Sequence, residues 1–439
     1  VNFAQLKAQL WEHRLVKSVS VLLVGNVAGN AINLLAQIYL GRSLDKAQYG
    51  IFTSIQAGVM LLSSLADFGL STAAVKFHNE LVEEKKEDAA RVLLTRLLGI
   101  RLALILTLGF IVLLAHRPLA QRFFDQAVPV SVLWWMCVGA VAMSLWAFAQ
   151  TLLQIQHRFS LYSGLTFANH LMRLLLILAC VAWVAQPLYG AIVIFALLPF
   201  GGALLGFASA RAKLVGPAAA LRPHAELGGA FSRIISFSRW VFITTIINSF
   251  IMRLDVLQLT GLSTSAEVGR YGMANNLAQG ILMVTATIST VLLPRMATIR
   301  DRARMLRFYK MQLLGLGGLA VLVPLGLLLN HLLTPWVVGP KYATCVPILD
   351  LLIIAYSASL VCNPLSFFCY AFGRTHYITL CCLIQLVILS VGNSLLIPKY
   401  GAYGPAVMLI IINWTAYVLT NIFFFLMLKD ATLEQEAIA

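Results

Sequence analysis

Four side-chain amides recur at helical spacing near the start of the chain: Asn26, Asn30, Asn33 and Gln37, within the stretch GNVAGNAINLLAQ. At about 100° per residue the four fall inside an arc of about 60°. A buried amide without a partner costs about 1–3 kcal/mol by mutational measures. Such a stripe must therefore meet water, a polar ligand or other side chains. Farther on, Gln56, Ser63 and Asp67 fall within about 40° of one another on a helix. Asn275 and Gln279 likewise share a face. Shifting the first stripe by 218 positions gives Thr244, Asn248, Ile251 and Asp255, three of them polar.

Ionisable residues in the same apolar surroundings form a short set: Asp67, Arg96, Arg101, Arg173, Arg239, Arg253, Asp255 and Asp350. Charges inside apolar spans are costly and mark pathways or internal pairs. Arg96 and Arg239 fall within about a turn of a span end, so their side chains can reach the interface. Arg101 and Arg173 sit deeper, and His170 precedes Arg173 by one helical turn. A guanidinium offers a planar fork suited to phosphate oxygens. The competing reading is an internal pair, with Asp67 the available carboxylate for Arg101 or Arg173. Arg253 lies opposite the Thr244–Asp255 stripe and is spaced wrongly to pair with Asp255 on a regular helix. Asp67 and Asp255 are also candidates to carry a coupling proton or sodium ion. The amides themselves have a plainer reading as interhelical glue, since Gly25 and Gly29 make a small-residue packing face beside them.

The elements that must position these groups follow from composition. The chain has 439 residues, is 60% hydrophobic and only 11% charged. That leaves the range of soluble domains and indicates a polytopic membrane protein. Apolar runs long enough to cross about 30 Å of hydrocarbon occur at 18–40, 49–76, 92–114, 129–153, 160–183, 188–210, 236–259, 270–294, 309–330, 345–370, 375–396 and 401–428. The expected fold is therefore an all-α integral membrane protein with about twelve transmembrane helices. Residues 1–17 are expected to lie as an amphipathic interfacial segment, not as a cleavable signal. With the N-terminus inside, one side of the membrane carries 20 Lys and Arg and the other 7, which orients both termini to the cytoplasm. The net charge of +15 is thereby mostly a topology signal and calls for no nucleic-acid partner. The seven cysteines lie in apolar runs without metal or disulfide spacing and read as buried small hydrophobes. Trp134, Trp135 and Trp183 fall at interfaces, "EEKKED" (83–88) reads as a solvated turn, and Pro199, Pro324, Pro347 and Pro364 as helix kinks.

Six spans precede and six follow a Gly-, Pro- and Arg-containing stretch at 211–235. This predicts an N-lobe at 18–210, a cytoplasmic linker at 211–235, a C-lobe at 236–428 and a cytoplasmic tail at 429–439. "YGIF" (49–52) echoes "YGMA" (271–274), and "LYGAIV" (188–193) echoes "AYGPAV" (402–407). Repeats of six spans share orientation, so the lobes are expected to relate by a pseudo-two-fold axis along the membrane normal, with a central cavity between them.

"IYLGRSLDKAQYGIFTSIQAGVMLLSSLADFGLSTAAVKF" (38–77) resembles the first helix pair of polysaccharide flippases of the Wzx type. "EVGRYGMANNLAQGILMVTATISTVLLPRM" (267–296) is similar to the same pair in the second half, and the resemblance extends over essentially the whole chain. Those flippases belong to the superfamily of multidrug, oligosaccharidyl-lipid and polysaccharide exporters. The resemblance implies a transporter, not an enzyme. Its cargo would be a lipid-linked oligosaccharide on a polyprenyl pyrophosphate, moved by alternating access from the cytoplasmic to the outer leaflet of a bacterial inner membrane. The product would be cell-surface polysaccharide such as the O-antigen of lipopolysaccharide. It further implies a cavity lined mainly by 18–40, 49–76, 236–259 and 270–294, no cofactor or metal, and association with a glycan polymerase or glycosyltransferases. The amides would then meet glycan hydroxyls, and Arg101 or Arg173 the pyrophosphate. Two other readings stand beside this one: a cation-coupled multidrug or metabolite exporter of the same superfamily, and a membrane-embedded glycan polymerase or ligase. Five Arg against three Asp inside the spans favour an anionic cargo. The short outer loops, about 14 residues at most (115–128), and the lack of a His/Asp cluster speak against the enzyme.

Overall fold

A bilayer offers backbone N–H and C=O groups no partners, so apolar runs of this length satisfy themselves as helices. The computed structural model describes residues 25–123, 131–210, 214–216, 230–296, 299 and 301–438. They form α1 (25–43), α2 (Lys46–Asp67), α3 (Leu70–Glu83), α4 (Glu87–Leu114), α5 (His116–Phe123), α6 (Ser131–Ile155), α7 (Phe159–Trp183) and α8 (Pro187–Ala210). The second half supplies α9 (Ala230–Leu262), α10 (Ser265–Met296), α11 (Arg302–Val338), a 3-10 turn (Pro340–Cys345), α12 (Val346–Ala371), α13 (Thr375–Tyr400) and α14 (Tyr403–Ile438). No strand occurs among the described residues. The protein is thus an all-α membrane protein, with 10 described helices long and apolar enough to cross a bilayer. The expected interfacial segment at 1–17 and most of 211–235 lie outside the described residues.

Capping sets several helix starts. Before α2, Asp45 Oδ1 accepts from Gln48 N at 2.7 Å while Gln48 Oε1 accepts from Asp45 N at 3.3 Å, a reciprocal capping box. Asp301 caps α11 by accepting from Arg304 N at 3.1 Å. "EEKKED" closes α3 and opens α4 through Lys85 at φ 60°, with Glu87 and Asp88 in the first turn of α4, where the helix dipole favours acids.

Three expectations need correction. The span read as 49–76 is not continuous: α2 stops at Asp67, and Phe68 (φ 45°) and Gly69 (φ 73°) turn left-handed before α3 starts at Leu70. Gly69 adopts that conformation freely, whereas Phe68 must be held there by its surroundings. The supposed loop 115–128 contains a two-turn helix, α5. Pro347 is no kink; it occupies the first turn of α12, where its missing N–H leaves nothing unsatisfied. Pro199, Pro324 and Pro364 do lie inside helices.

Two compact units emerge. The first is drawn from Val1–Leu40, Gly58–Ala120 and Val128–Arg239, the second from Gly41–Ala57, Gln121–Ala127 and Trp240–Ala439. In the first, α6 and α8 approach closely because Gly202 and Gly206 face Trp146 and Ala149, and Gly139 faces Ala196, small residues substituting for a hydrophobic drive that lipid cannot supply. In the second, Met305, Leu365, Phe368, Phe424 and Met427 form a core joining α11, α12 and α14. The opening turns of α2 also belong to this unit. Gly50 and Gly269 bring α2 and α10 into backbone contact, such that a Cβ on Gly269 would meet the Lys46 carbonyl. Ser54 and Thr260 hydroxyls bond at 2.7 Å, and Asn276 donates to the Tyr49 hydroxyl at 2.9 Å.

Candidate functional site

In the first unit the break between α2 and α3 is spanned by a charge network. Arg101 on α4, 2% exposed, donates through Nη1 to Asp67 Oδ1 at 2.6 Å and to Ser71 Oγ at 3.0 Å, and through Nε to Ser144 Oγ at 2.8 Å. Ser71 also donates to Asp67. The guanidinium lies 5.9 Å from the Phe148 ring centre. One cation thus ties the end of α2, the first turn of α3, α4 and α6. Of the two roles open to Arg101 in the sequence, the internal pair with Asp67 is present.

Arg173 is placed differently. It is 4% exposed, its Nη1 donates to Asn33 Oδ1 at 3.1 Å, and its guanidinium carbon sits 5.0 Å from the Phe195 ring centre. Its Nε is buried without a hydrogen-bond partner among the described residues. No described carboxylate forms an ion pair with it. His170 lies one turn away, its Nδ1 also buried and unpartnered. The α1 stripe packs beside this pair: Gly25 faces Ser163 and Gly29 faces His170 on α7. Within the stripe Asn30 is exposed, Asn26 and Asn33 half-buried and Gln37 buried. These are contacts of the interhelical kind, packing through the glycines and an amide-to-guanidinium bond through Asn33.

In the second unit, Asp255 on α9 is 3% exposed. It accepts from Val256 N at 2.7 Å and from the Tyr271 hydroxyl. Arg253 lies near enough to act electrostatically on Asp255 and Tyr356. Tyr356 donates to Asn275 Oδ1 at 2.7 Å, and Thr244 pairs with Thr379 at 2.7 Å. Gln279 is half-buried, and so is Gln56, which belongs to this unit and not to that of Asp67. Asn248 and Asp255 line a cavity of about 360 Å³, completed by Tyr356 and Asn363 from α12, Gln385 from α13 and Asn413 from α14. Asp350 is held elsewhere, accepting from Asn330 Nδ2 at 2.8 Å and pairing with His331 Nε2 at 2.9 Å.

Sequence reasoning missed the serines around Arg101, the tyrosines around Asp255 and the amides of α12 to α14. The amides carry the signal that exposed the first stripe, a carboxamide in an apolar run; the serines and tyrosines are too common in spans to stand out. All seven cysteines are free and buried. Among the described residues, no group of three or more His, Cys, Asp or Glu could hold a metal ion.

The site residues thus sort into an internal ion pair, a buried arginine on an amide stripe, and an amide-lined cavity with a carboxylate. The model of a family described as "polysaccharide biosynthesis protein" matches residues 15–300. No curated protein matches the sequence significantly. Among solved structures, the lipid II flippase MurJ in an inward closed conformation superposes with a TM-score of 0.69 at 14% identity, covering 95% of this chain and 91% of its own. An inward-facing multidrug resistance MATE transporter of the MOP superfamily gives 0.65 at 13%, covering 95% and 98%. A point mutant of the Vibrio cholerae MATE transporter VcmN gives 0.62 at 15%, covering 93% and 96%. Identities this low speak to the fold alone.

Proposed function

The chain belongs to the polysaccharide biosynthesis protein family, a flippase-type multi-pass membrane protein of the MOP superfamily, and from that premise we propose that its cargo is a lipid-linked oligosaccharide. The carrier is a polyprenyl pyrophosphate, and the movement runs from the cytoplasmic to the outer leaflet of a bacterial inner membrane, with both chain termini cytoplasmic. The observation that carries this reading is Arg173: a nearly buried cation, in no described ion pair, bonded instead to an amide of the α1 stripe. A cation kept in an apolar span without a carboxylate suits a ligand that brings the negative charge. A pyrophosphate presents the oxygens for which a guanidinium fork is shaped. Arg101 has its donors committed to Asp67 and two serines, and in this reading it is a positioning residue.

The amides address the other half of the cargo. Glycan hydroxyls both donate and accept, as do Asn and Gln, so the stripe residues Asn26, Asn30 and Asn33 offset the desolvation that opposes transfer. Lobe alternation exposes the head group to each side in turn while the lipid tail remains in the bilayer. Direction follows from the membrane potential: an anion leaving a negative interior gains about 2.3 kcal/mol per charge per 100 mV. A coupling proton or sodium ion is not required for that gain. Polymerases and glycosyltransferases are the expected neighbours in the pathway.

In a strain lacking the gene, the lipid-linked oligosaccharide should accumulate on the cytoplasmic leaflet. The wild-type chain should clear it, Arg173→Lys should do so in part, and Arg173→Ala should not, with equal protein abundance. If no lipid-linked glycan accumulates and efflux of a small cationic drug falls instead, the cation-coupled exporter is the correct reading. Accumulation of unpolymerised glycan on the outer leaflet would identify the polymerase.

A further inference from the structure

The cavity of the second unit has a composition the flipping reading does not by itself explain. Its volume, about 360 Å³, lies in the range of small-molecule sites, about 300–1,000 Å³. Its lining is mixed: Asn248, Asn363, Gln385 and Asn413 supply carboxamides from four different helices, Asp255 adds a carboxylate, and Leu282, Ile378, Phe423 and four cysteine thiols make up much of the rest. Tyr377 lies flat on Phe423, their ring centres 4.6 Å apart and the planes 6° from parallel.

Much of the polar lining has hydrogen-bonding capacity to spare. Gln385 uses Nε2 on the Ile412 carbonyl at 3.2 Å, which leaves its carbonyl oxygen for an incoming donor. Asn248 and Asn363 are exposed. Asp255 receives one hydrogen bond on each oxygen, from Val256 N and from Tyr271, and each carboxylate oxygen accepts more than one. Carboxamides together with stacked aromatic rings in one lining suit a pyranose ring, whose edges are hydroxyls and whose faces are C–H.

Charge narrows the class. The lining contains Asp255 and, among the described residues, no Lys, Arg or His. Arg253 acts on Asp255 electrostatically but does not itself line the cavity. A sugar carboxylate placed here would face Asp255 with no cation lining the cavity to receive it, at a cost that low-dielectric surroundings enlarge. We propose that this cavity seats one neutral or amino pyranose residue of the carried glycan and excludes acidic sugars. The proposal rests on the flippase reading and deepens it by naming the class of sugar the cargo carries.

Met252 lines the cavity and is exposed, so N-ethylmaleimide labelling of full-length Met252→Cys in nanodiscs, followed by mass spectrometry, reads whether the cavity is filled, the buried native thiols reacting slowly. N-acetylglucosamine or methyl glucoside should slow labelling at position 252, and glucuronate at equal concentration should not. In the deletion strain, Gln385→Leu and Asn413→Leu should each slow clearance of the inner-leaflet glycan by about tenfold, the kinetic equivalent of a lost hydrogen bond or two. Equal protection by glucuronate, absence of protection by either neutral sugar, or wild-type clearance by both leucine variants overturns the sugar seat. Protection that follows sodium concentration and ignores sugars also overturns it and assigns the cavity to a cation. A wild-type chain that fails to clear any lipid-linked glycan instead refutes the flippase reading, so the two failures are distinct.

Discussion

The Arg101–Asp67 pair separates a structural role from a transport role by number. Arg101 is 2% exposed and Asp67 21%, so the contact is close to the buried limit, where removing one partner strands the other. That costs about 3–5 kcal/mol, and in Arg101→Met the hydroxyls of Ser71 and Ser144 lose a donor as well. Asp67→Asn keeps the shape, removes the charge and leaves Arg101 uncompensated. Replacing both, as Asp67→Asn with Arg101→Met, leaves no stranded charge. The expected coupling energy is therefore large, about 3 kcal/mol, with the double variant no less stable than either single one.

Thermal unfolding of the purified protein in detergent, followed as loss of the monodisperse peak, checks this. Each single variant should drop by several degrees and the double variant should recover most of the loss. Glycan clearance in cells should follow the amount of folded protein in all three. The pair also spans the left-handed break at Phe68–Gly69, so limited proteolysis should cut near that break faster in the single variants. The reasoning is refuted if Arg101→Met unfolds at the wild-type temperature yet abolishes clearance, because the guanidinium would then be acting on cargo.

Other substitutions probe the remaining features. Asn393 is wholly buried, and neither of its side-chain polar atoms has a partner among the described residues, so Asn393→Leu should raise the unfolding temperature, by about 1–3 kcal/mol of relieved desolvation; a fall would mean the amide is satisfied. Tyr271→Phe removes the hydroxyl bonded to Asp255 and should destabilise by about 1–3 kcal/mol, whereas Tyr271→Phe with Asp255→Asn should cost less than the two changes summed. Gly269→Val drives a side chain into the Lys46 carbonyl and should lower the unfolding temperature or folded yield well beyond Gly280→Val, whose surroundings are open. Equal behaviour of the two valine variants would remove the case for close packing of α2 on α10.

What the sequence made legible is what the bilayer imposes. A lipid core requires apolar length and internally satisfied backbone, so hydropathy alone located the spans and the corrections fall at their ends and breaks. It also penalises charge, and for that reason every described intramembrane acid has a nameable partner: Asp67 with Arg101, Asp255 with Tyr271, Asp350 with Asn330 and His331. Who pairs with whom was less readable, because pairing depends on neighbours distant in sequence. Arg101 meets Ser144 across 43 positions and Arg173 meets Asn33 across 140. The break after Asp67 offered only Gly69 as a hint, since Phe68 is an unfavourable left-handed residue. Glycine was the weakest signal and among the strongest determinants. Gly50 and Gly272 were visible only as part of the YGIF and YGMA echo and Gly269 not at all, yet Gly50 and Gly269 let α2 touch α10 backbone to backbone and Gly272 admits the Thr53 side chain. The contrast between the two arginines follows from the same physics. A bilayer tolerates a buried cation when it is neutralised within the protein, as Arg101 is; Arg173, without a described carboxylate, rests on Asn33 and the Phe195 ring, and the proposed function assigns the balancing charge to the cargo.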